Sequence, residues 1–109
     1  MPYVLLILLA YLLGSVPFGL LIARTQGIDL RKVGSGNIGA TNAARHVGRK
    51  WGILCFLLDV LKGLVPMVLV PVLGLVDADA GPVQLTLWLL VGCAAVLGHV
   101  FPVYLKFKG

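Results

Sequence analysis

The chain has 109 residues, of which 60% are hydrophobic and 12% are charged, and its mean hydropathy is +1.03. So few polar residues cannot cover a water-exposed surface, which excludes a soluble globular protein and indicates an all-α integral membrane domain. The net charge is +5, and the basic residues lie beside apolar segments. We therefore expect membrane lipid and anionic substrates as partners, and no nucleic acid.

The first apolar run, residues 3–23, is long enough to cross a bilayer, which needs about 20 helical residues. Pro17 removes one backbone hydrogen bond and is expected to kink this helix. Ser15 and Gly19 are four residues apart, a spacing typical of close contact between membrane helices. A purely structural kink is favoured here over a direct role in ligand binding.

A polar connection, residues 24–51, follows, and residues 34–45 within it form a glycine-rich segment. Its glycines permit positive φ and close approach to a ligand, and Arg45 offers a planar fork that suits phosphate. An ordinary surface loop is the alternative. The segment lacks the Gly-Lys-Ser/Thr of a Walker loop, and its Gly-x-Gly-x-x-Gly spacing lacks the strand and acidic residue of a dinucleotide site. We predict a phosphate cradle in which Ser35 donates to phosphate oxygen rather than acting as a triad nucleophile.

The second apolar run, residues 52–76, contains Asp59 and Lys62 about one helical turn apart, so they share one side of the helix. Charges inside a membrane span are costly and are functional candidates. A mutual ion pair and support of an active site both remain open. Cys55, like Cys93 in the third run, is expected to be a buried apolar thiol, and no metal site or disulfide is predicted.

The third apolar run, residues 83–104, completes three predicted transmembrane helices. His99 near its end is more typical of an interfacial or packing residue than of a base, and His46 is expected to be solvated. The connection 24–51 carries six basic residues, whereas the turn 77–82 carries two aspartates and no base. The positive-inside rule therefore places the connection and the C-terminus in the cytoplasm and the N-terminus outside.

The segment 34–45 resembles the first cytoplasmic motif of the membrane-integral bacterial glycerol-3-phosphate acyltransferases that use acyl-phosphate, the PlsY family. The likeness continues in LLGSVPFG at 12–19, LDVLKG at 58–63, GHVFP at 98–102 and KFKG at 106–109. Members of the family are nearly twice this long. The resemblance therefore implies that residues 1–109 form a single membrane domain, the N-terminal half of a larger helical bundle, and that the chain is inactive without the missing C-terminal half.

The resemblance implies transfer of an acyl group from acyl-phosphate to sn-glycerol 3-phosphate, giving 1-acyl-sn-glycerol 3-phosphate for phospholipid synthesis at the bacterial cytoplasmic (inner) membrane. Acyl-phosphate is already an activated anhydride, so no cofactor is expected and orientation and charge stabilisation suffice. Ser35 and Arg45 are the implied catalytic residues, with Asp59, Lys62 and His99 in support. A substrate phosphate oxygen is the preferred proton acceptor, before His99. The implied phosphate- and substrate-binding residues are Gly34, Gly36, Asn37, Gly39, Thr41, Asn42, Lys106 and Lys108.

A small multi-span transporter subunit is the alternative function. Small multidrug exporters have about this length, but they have four spans and depend on an acidic residue in the first. The first apolar run of this chain has no acidic residue, and Asp59 would be silenced by a pair with Lys62. The acyltransferase is therefore the preferred prediction.

Overall fold

The computed structural model describes residues 2–105, and the regular secondary structure of these residues is entirely helical. Three segments are long and apolar enough to cross a membrane, namely Pro2–Thr25, Arg49–Val72 and Pro82–Leu105. The predicted all-α membrane fold with three spans is therefore confirmed. The α-helices are α1 (Pro2–Gly14), α2 (Phe18–Thr25), α3 (Ala40–His46), α4 (Arg49–Val72) and α5 (Pro82–Val100), and 3₁₀ helices span Leu30–Lys32 and Val103–Leu105.

The described residues divide into two compact units, one formed by residues 2–16 and 61–105 and the other by residues 17–60. In the first unit α1 packs along α5. A Cβ on Gly14 would collide with the Ala95 carbonyl, and one on Gly98 would collide with the Tyr11 carbonyl. Small residues thus bring the two helix backbones together, as packing in lipid favours.

The first span is interrupted between Gly14 and Phe18, where the sequence predicts a kink. Pro17 has no N–H to offer the carbonyl of Leu13, which accepts from the Val16 N–H at 3.1 Å instead. The Val16 carbonyl accepts from Nζ of Lys62, a side chain that is only 6% exposed. The buried Lys62 of α4 therefore donates a hydrogen bond to the backbone carbonyl at the break in the helix. Lipid would offer that carbonyl no donor.

The second unit is built around five side chains that are at most 1% exposed, Leu20, Ala23, Leu30, Ala43 and Cys55. A Cβ on Gly19 would collide with the carbonyl of Ile38. A Cβ there would also lie 3.0 Å from Sγ of Cys55 on α4, so Gly19 is close both to the backbone of the glycine-rich segment and to a second membrane helix.

Cys93 differs from its predicted burial, because it is exposed on α5 while Cys55 is buried. The buried side of α5 consists of Val91, Ala94, Ala95 and Gly98. Cys93 projects from the opposite side of the helix, since successive residues are about 100° apart. It remains in an apolar span and is exposed within residues 2–105.

Candidate functional site

The C-terminal part of the glycine-rich segment is helical rather than an open loop. Ala40, Ala43 and Ala44 favour a helix, and together with their neighbours they form α3. The helix ends where the N–H groups of Val47 and Gly48 both bond to the Ala43 carbonyl, at 2.9 and 3.1 Å. The predicted connection 24–51 thus contains a short helix that the hydropathy pattern does not show.

The backbone before α3 follows a turn that needs glycine at two positions. Gly34 and Gly36 have φ of 52° and 76°, values that side chains with a Cβ rarely adopt. The hydroxyl of Ser35 accepts from the Asn37 N–H at 3.2 Å, and Oδ1 of Asn37 accepts from the Gly39 N–H at 2.8 Å. Side-chain acceptors therefore replace the backbone partners that a regular element would supply.

Asn42 joins this turn to α3. Its Nδ2 lies 3.2 Å from the Leu30 carbonyl, 3.1 Å from that of Val33 and 2.9 Å from that of Asn37. The residue is 5% exposed, and three carbonyls share its two N–H groups. The donors of Asn42 therefore hold the turn in place.

The turn and α3 enclose a cleft with a cavity volume of about 310 Å³. Seven of the predicted site residues line it together, whereas Gly36 lies in the turn but not in the lining. Ala40 and His46 line the cleft without having been predicted as site residues. The lining consists of Gly34, Ser35, Asn37, Gly39, Ala40, Thr41, Asn42, Arg45 and His46.

Arg45 and Thr41 lie one helical turn apart and face this cleft as exposed side chains. Neither side chain forms a hydrogen bond or an ion pair within residues 2–105. An always-charged guanidinium without an acidic partner, beside a free hydroxyl, is suited to a ligand that carries negative oxygens.

The acidic residue nearest to the cleft in sequence is engaged elsewhere. Oδ1 of Asp29 accepts from the backbone N–H and Nε of Arg31, at 3.1 and 3.3 Å. These hydrogen bonds with Arg31 lower the pKa of Asp29. Asp29 is therefore ionised and paired at neutral pH, and the described lining of the cleft contains no acidic residue.

The structure does not place the remaining predicted residues in this lining. Lys62 and His99 belong to the first unit, where Lys62 bonds to the Val16 carbonyl and His99 is exposed. Oδ2 of Asp59, in the second unit, lies 3.5 Å from the Cys55 thiol. Lys106 and Lys108 lie outside the described residues, so their predicted phosphate contacts stay predictions.

His46 is the titratable residue of the cleft that sequence reasoning missed. It follows Asn42 by four residues and therefore shares a side of α3 with it. Treating the segment as a loop hid that spacing. Recognising the alanine-rich stretch 40–44 as helical would have identified it.

Comparison with known proteins relates the chain to one family. A family model described as glycerol-3-phosphate acyltransferase matches residues 4–109. A protein of that name from Aquifex aeolicus is 46% identical over 104 residues, which cover 95% of this chain and 50% of that protein. The protein of that name from Geobacter metallireducens is 50% identical over 107 residues, covering 97% and 50%. The chain thus spans about half the length of the curated relatives it matches.

Solved structures show the same similarity. The crystal structure of PlsY (YgiH), an integral membrane glycerol 3-phosphate acyltransferase, in its glycerol 3-phosphate form superposes with a TM-score of 0.84 at 44% identity. That match covers 100% of this chain and 51% of the other. The lysophosphatidic acid form gives a TM-score of 0.82 at 42% identity, covering 100% and 50%.

Proposed function

Because this chain belongs to the glycerol-3-phosphate acyltransferase family, we propose that the protein containing it transfers an acyl group from acyl-phosphate to sn-glycerol 3-phosphate. The products are 1-acyl-sn-glycerol 3-phosphate and inorganic phosphate. The relatives of that name come from bacteria, and three apolar segments could cross a membrane. The proposed location is therefore the bacterial cytoplasmic membrane.

The observation that carries this proposal is the free guanidinium of Arg45 in a cleft without acidic side chains among the described residues. Both proposed substrates carry phosphate groups, and a guanidinium fork bonds two phosphate oxygens at once. Ser35 lines the same cleft, and its oxygen already accepts from the Asn37 N–H. The remaining O–H of Ser35 is therefore available to donate to a phosphate oxygen.

The proposed chemistry needs no protein nucleophile. A hydroxyl oxygen of glycerol 3-phosphate attacks the acyl carbonyl carbon, so that an ester C–O bond forms. The bond between that carbon and the bridging phosphate oxygen breaks, and phosphate leaves with the electron pair. The hydroxyl proton passes to a phosphate oxygen of the substrate. Arg45 and Ser35 hold the phosphate and stabilise the charge that develops on it.

Other residues have supporting parts in the proposal. Thr41 and Asn37 are assigned to the glycerol hydroxyls, and Lys106 and Lys108 to the second phosphate. Asp59, Lys62 and His99 are assigned to support of the site. Since the relatives are about twice as long, the rest of the natural protein containing this sequence, called the parent protein below, is proposed to complete both substrate sites.

The proposal is tested with the purified parent protein in lipid nanodiscs, supplied with palmitoyl phosphate and glycerol 3-phosphate. We expect acyl-glycerol phosphate and inorganic phosphate to form in equal amounts. Phosphate release without the acylated product would indicate hydrolysis and contradict the proposal. Uptake of a cationic dye by proteoliposomes, with no transfer, would favour the transporter alternative.

A matched pair of variants connects this activity to the cleft. Arg45→Ala removes the guanidinium and is expected to abolish most of the transfer. Lys50→Ala also removes a basic side chain of the second unit, but Lys50 lies over the Trp51 ring, 5.0 Å from its centroid, and does not line the cleft. Equal losses in the two variants would mean that only general positive charge matters.

A further inference from the structure

The His46 side chain lies in the cleft, close to the backbone at Gly34. A Cβ on Gly34 would collide with Nε2 of His46 and with Oδ1 of Asn42. The imidazole edge therefore lies against the backbone of the turn that carries Ser35. The absence of a side chain at Gly34, where φ is 52°, makes room for the ring.

The imidazole has hydrogen-bonding capacity to spare. Neither ring nitrogen of His46 bonds to another group within the described part of the chain. The ring lines the same cleft as Arg45, the preceding residue on α3. A protonated imidazole would offer the cleft a second positive charge and a second donor for phosphate oxygen.

The charges near α3 in the second unit come from three neighbouring elements. Arg24 lies in the last turn of α2, and Arg49 and Lys50 begin α4. The 3₁₀ helix Leu30–Lys32 carries two bases and is preceded by Asp29, which Arg31 holds. Asp29, the acid that could stabilise protonated His46 when no ligand is bound, is thus already paired with Arg31. A bound anion is therefore the group that favours protonation of His46.

We propose that His46 is a ligand-binding residue of the cleft, which contacts the phosphate of the bound substrate as an imidazolium and makes phosphate binding stronger at mildly acidic pH. This inference rests on the proposed function, since it takes the ligand to be a phosphate monoester. Histidine is the side chain whose charge ordinarily changes between pH 5 and 8. The cleft then combines a permanent cation, Arg45, with one that depends on pH.

The test measures binding of glycerol 3-phosphate, and separately of inorganic phosphate, to the parent protein in nanodiscs from pH 6 to 8.5. The ligands themselves also titrate, since a phosphate monoester loses its second proton near pH 6, so the measured quantity is the ratio of Kd between His46→Gln and wild type for one ligand at each pH. We expect a ratio of about 3 to 10 at pH 6, because an exposed charged pair is partly screened, falling to about 1 at pH 8.5.

A second variant separates charge from shape. His46→Lys is expected to bind both anions tightly from pH 6 to 8.5, since lysine stays charged over this range. The ratio of its Kd to that of wild type should therefore fall as the pH rises. Lys50→Gln removes a base outside the cleft and should give a ratio that does not vary with pH.

The outcomes distinguish this inference from the function on which it rests. Binding by wild type with a His46→Gln ratio that stays flat from pH 6 to 8.5 would overturn only the role of His46. No binding of either anion by wild type would overturn both the inference and the proposed function. A pH-dependent ratio for inorganic phosphate but not for glycerol 3-phosphate would contradict the contact with the substrate phosphate.

Discussion

Asn37 and Asn42 carry the same side chain but use opposite ends of it. Asn37 accepts the Gly39 N–H through Oδ1 and is exposed, whereas Asn42 donates to three carbonyls through Nδ2 and is buried. Replacement of asparagine by aspartate keeps the shape and the acceptors but removes the donors. The same substitution at the two positions therefore separates their roles.

Asn42→Asp is expected to destabilise the protein by about 2–4 kcal/mol, since it leaves carbonyls of Leu30, Val33 and Asn37 without a donor and adds a buried charge. Asn37→Asp, the matched control, keeps its acceptor and should change stability by at most about 0.5 kcal/mol. Thermal unfolding of both variants in the same detergent at pH 7.5 measures the difference. Similar losses at both positions would show that Asn42 does not anchor the turn.

Arg45→Lys tests whether geometry or charge matters at the cleft. Lysine keeps the charge but loses the two-pronged fork. A charge-assisted hydrogen bond is worth about 1.5–3 kcal/mol, so kcat/KM for glycerol 3-phosphate should fall by about 10- to 150-fold. Steady-state kinetics of the parent protein with both substrates varied provide the measurement. Unchanged kcat/KM for both substrates would reduce Arg45 to a general surface cation.

The residues of the cleft were predictable because they are close together in sequence. Residues 34–45 carry the glycines, the hydroxyls and the arginine, so local composition alone identifies the segment. The sequence did not separate Asn37 from Asn42, since that distinction depends on which backbone groups the fold leaves unpaired. His46 was missed for a related reason, because its position depends on a short helix that the hydropathy pattern does not show.

At the scale of elements, hydropathy located the spans but not their ends. The second span was predicted over 52–76, and α4 runs over Arg49–Val72. The helix begins earlier because charged residues at a membrane surface are also good helix formers. It ends earlier because Gly74 adopts φ of 72° and the Leu75 N–H bonds back to the Val70 carbonyl at 3.0 Å, a glycine stop that hydropathy does not detect.

A proline inside α4 leaves a backbone carbonyl without its helical donor, and a side chain of α5 supplies one instead. Pro71 cannot donate to the carbonyl of Met67, four residues earlier. Nε1 of Trp88 donates to that carbonyl at 2.9 Å. An indole from the neighbouring helix therefore replaces the missing backbone donor, as polar groups within a bilayer require.

Trp88→Phe is expected to destabilise the protein by about 1–2 kcal/mol, because the Met67 carbonyl is left without a donor. Pro71→Ala restores the backbone N–H, so in that background the loss from Trp88→Phe should be smaller. A double-mutant cycle of unfolding free energies in mixed micelles measures the coupling. Trp51→Phe serves as the control and should be additive with Pro71→Ala. Equal losses from Trp88→Phe in both backgrounds would contradict the interpretation.

At the scale of the whole molecule, composition alone identified the membrane class, and the distribution of charge predicts its orientation. All six basic residues of the connection 24–51 are exposed, as are Asp77 and Asp79 in the turn before α5. Exposed lysine and arginine near the ends of spans set the orientation, since such segments stay on the cytoplasmic side. The predicted orientation thus rests on side chains that are exposed in the structure.

Cysteine labelling tests this orientation of the parent protein in intact cells with a reagent that cannot cross the membrane. The background is Cys93→Ala, because Cys93 is exposed whereas Cys55 is buried. Gln26 and Asp79 are both exposed and lie on opposite sides of the membrane in the predicted orientation. We expect Asp79→Cys to be labelled from outside and Gln26→Cys only after the membrane is permeabilised. Labelling of Gln26→Cys in intact cells would place the cleft outside, where the positive-inside rule does not allow six bases.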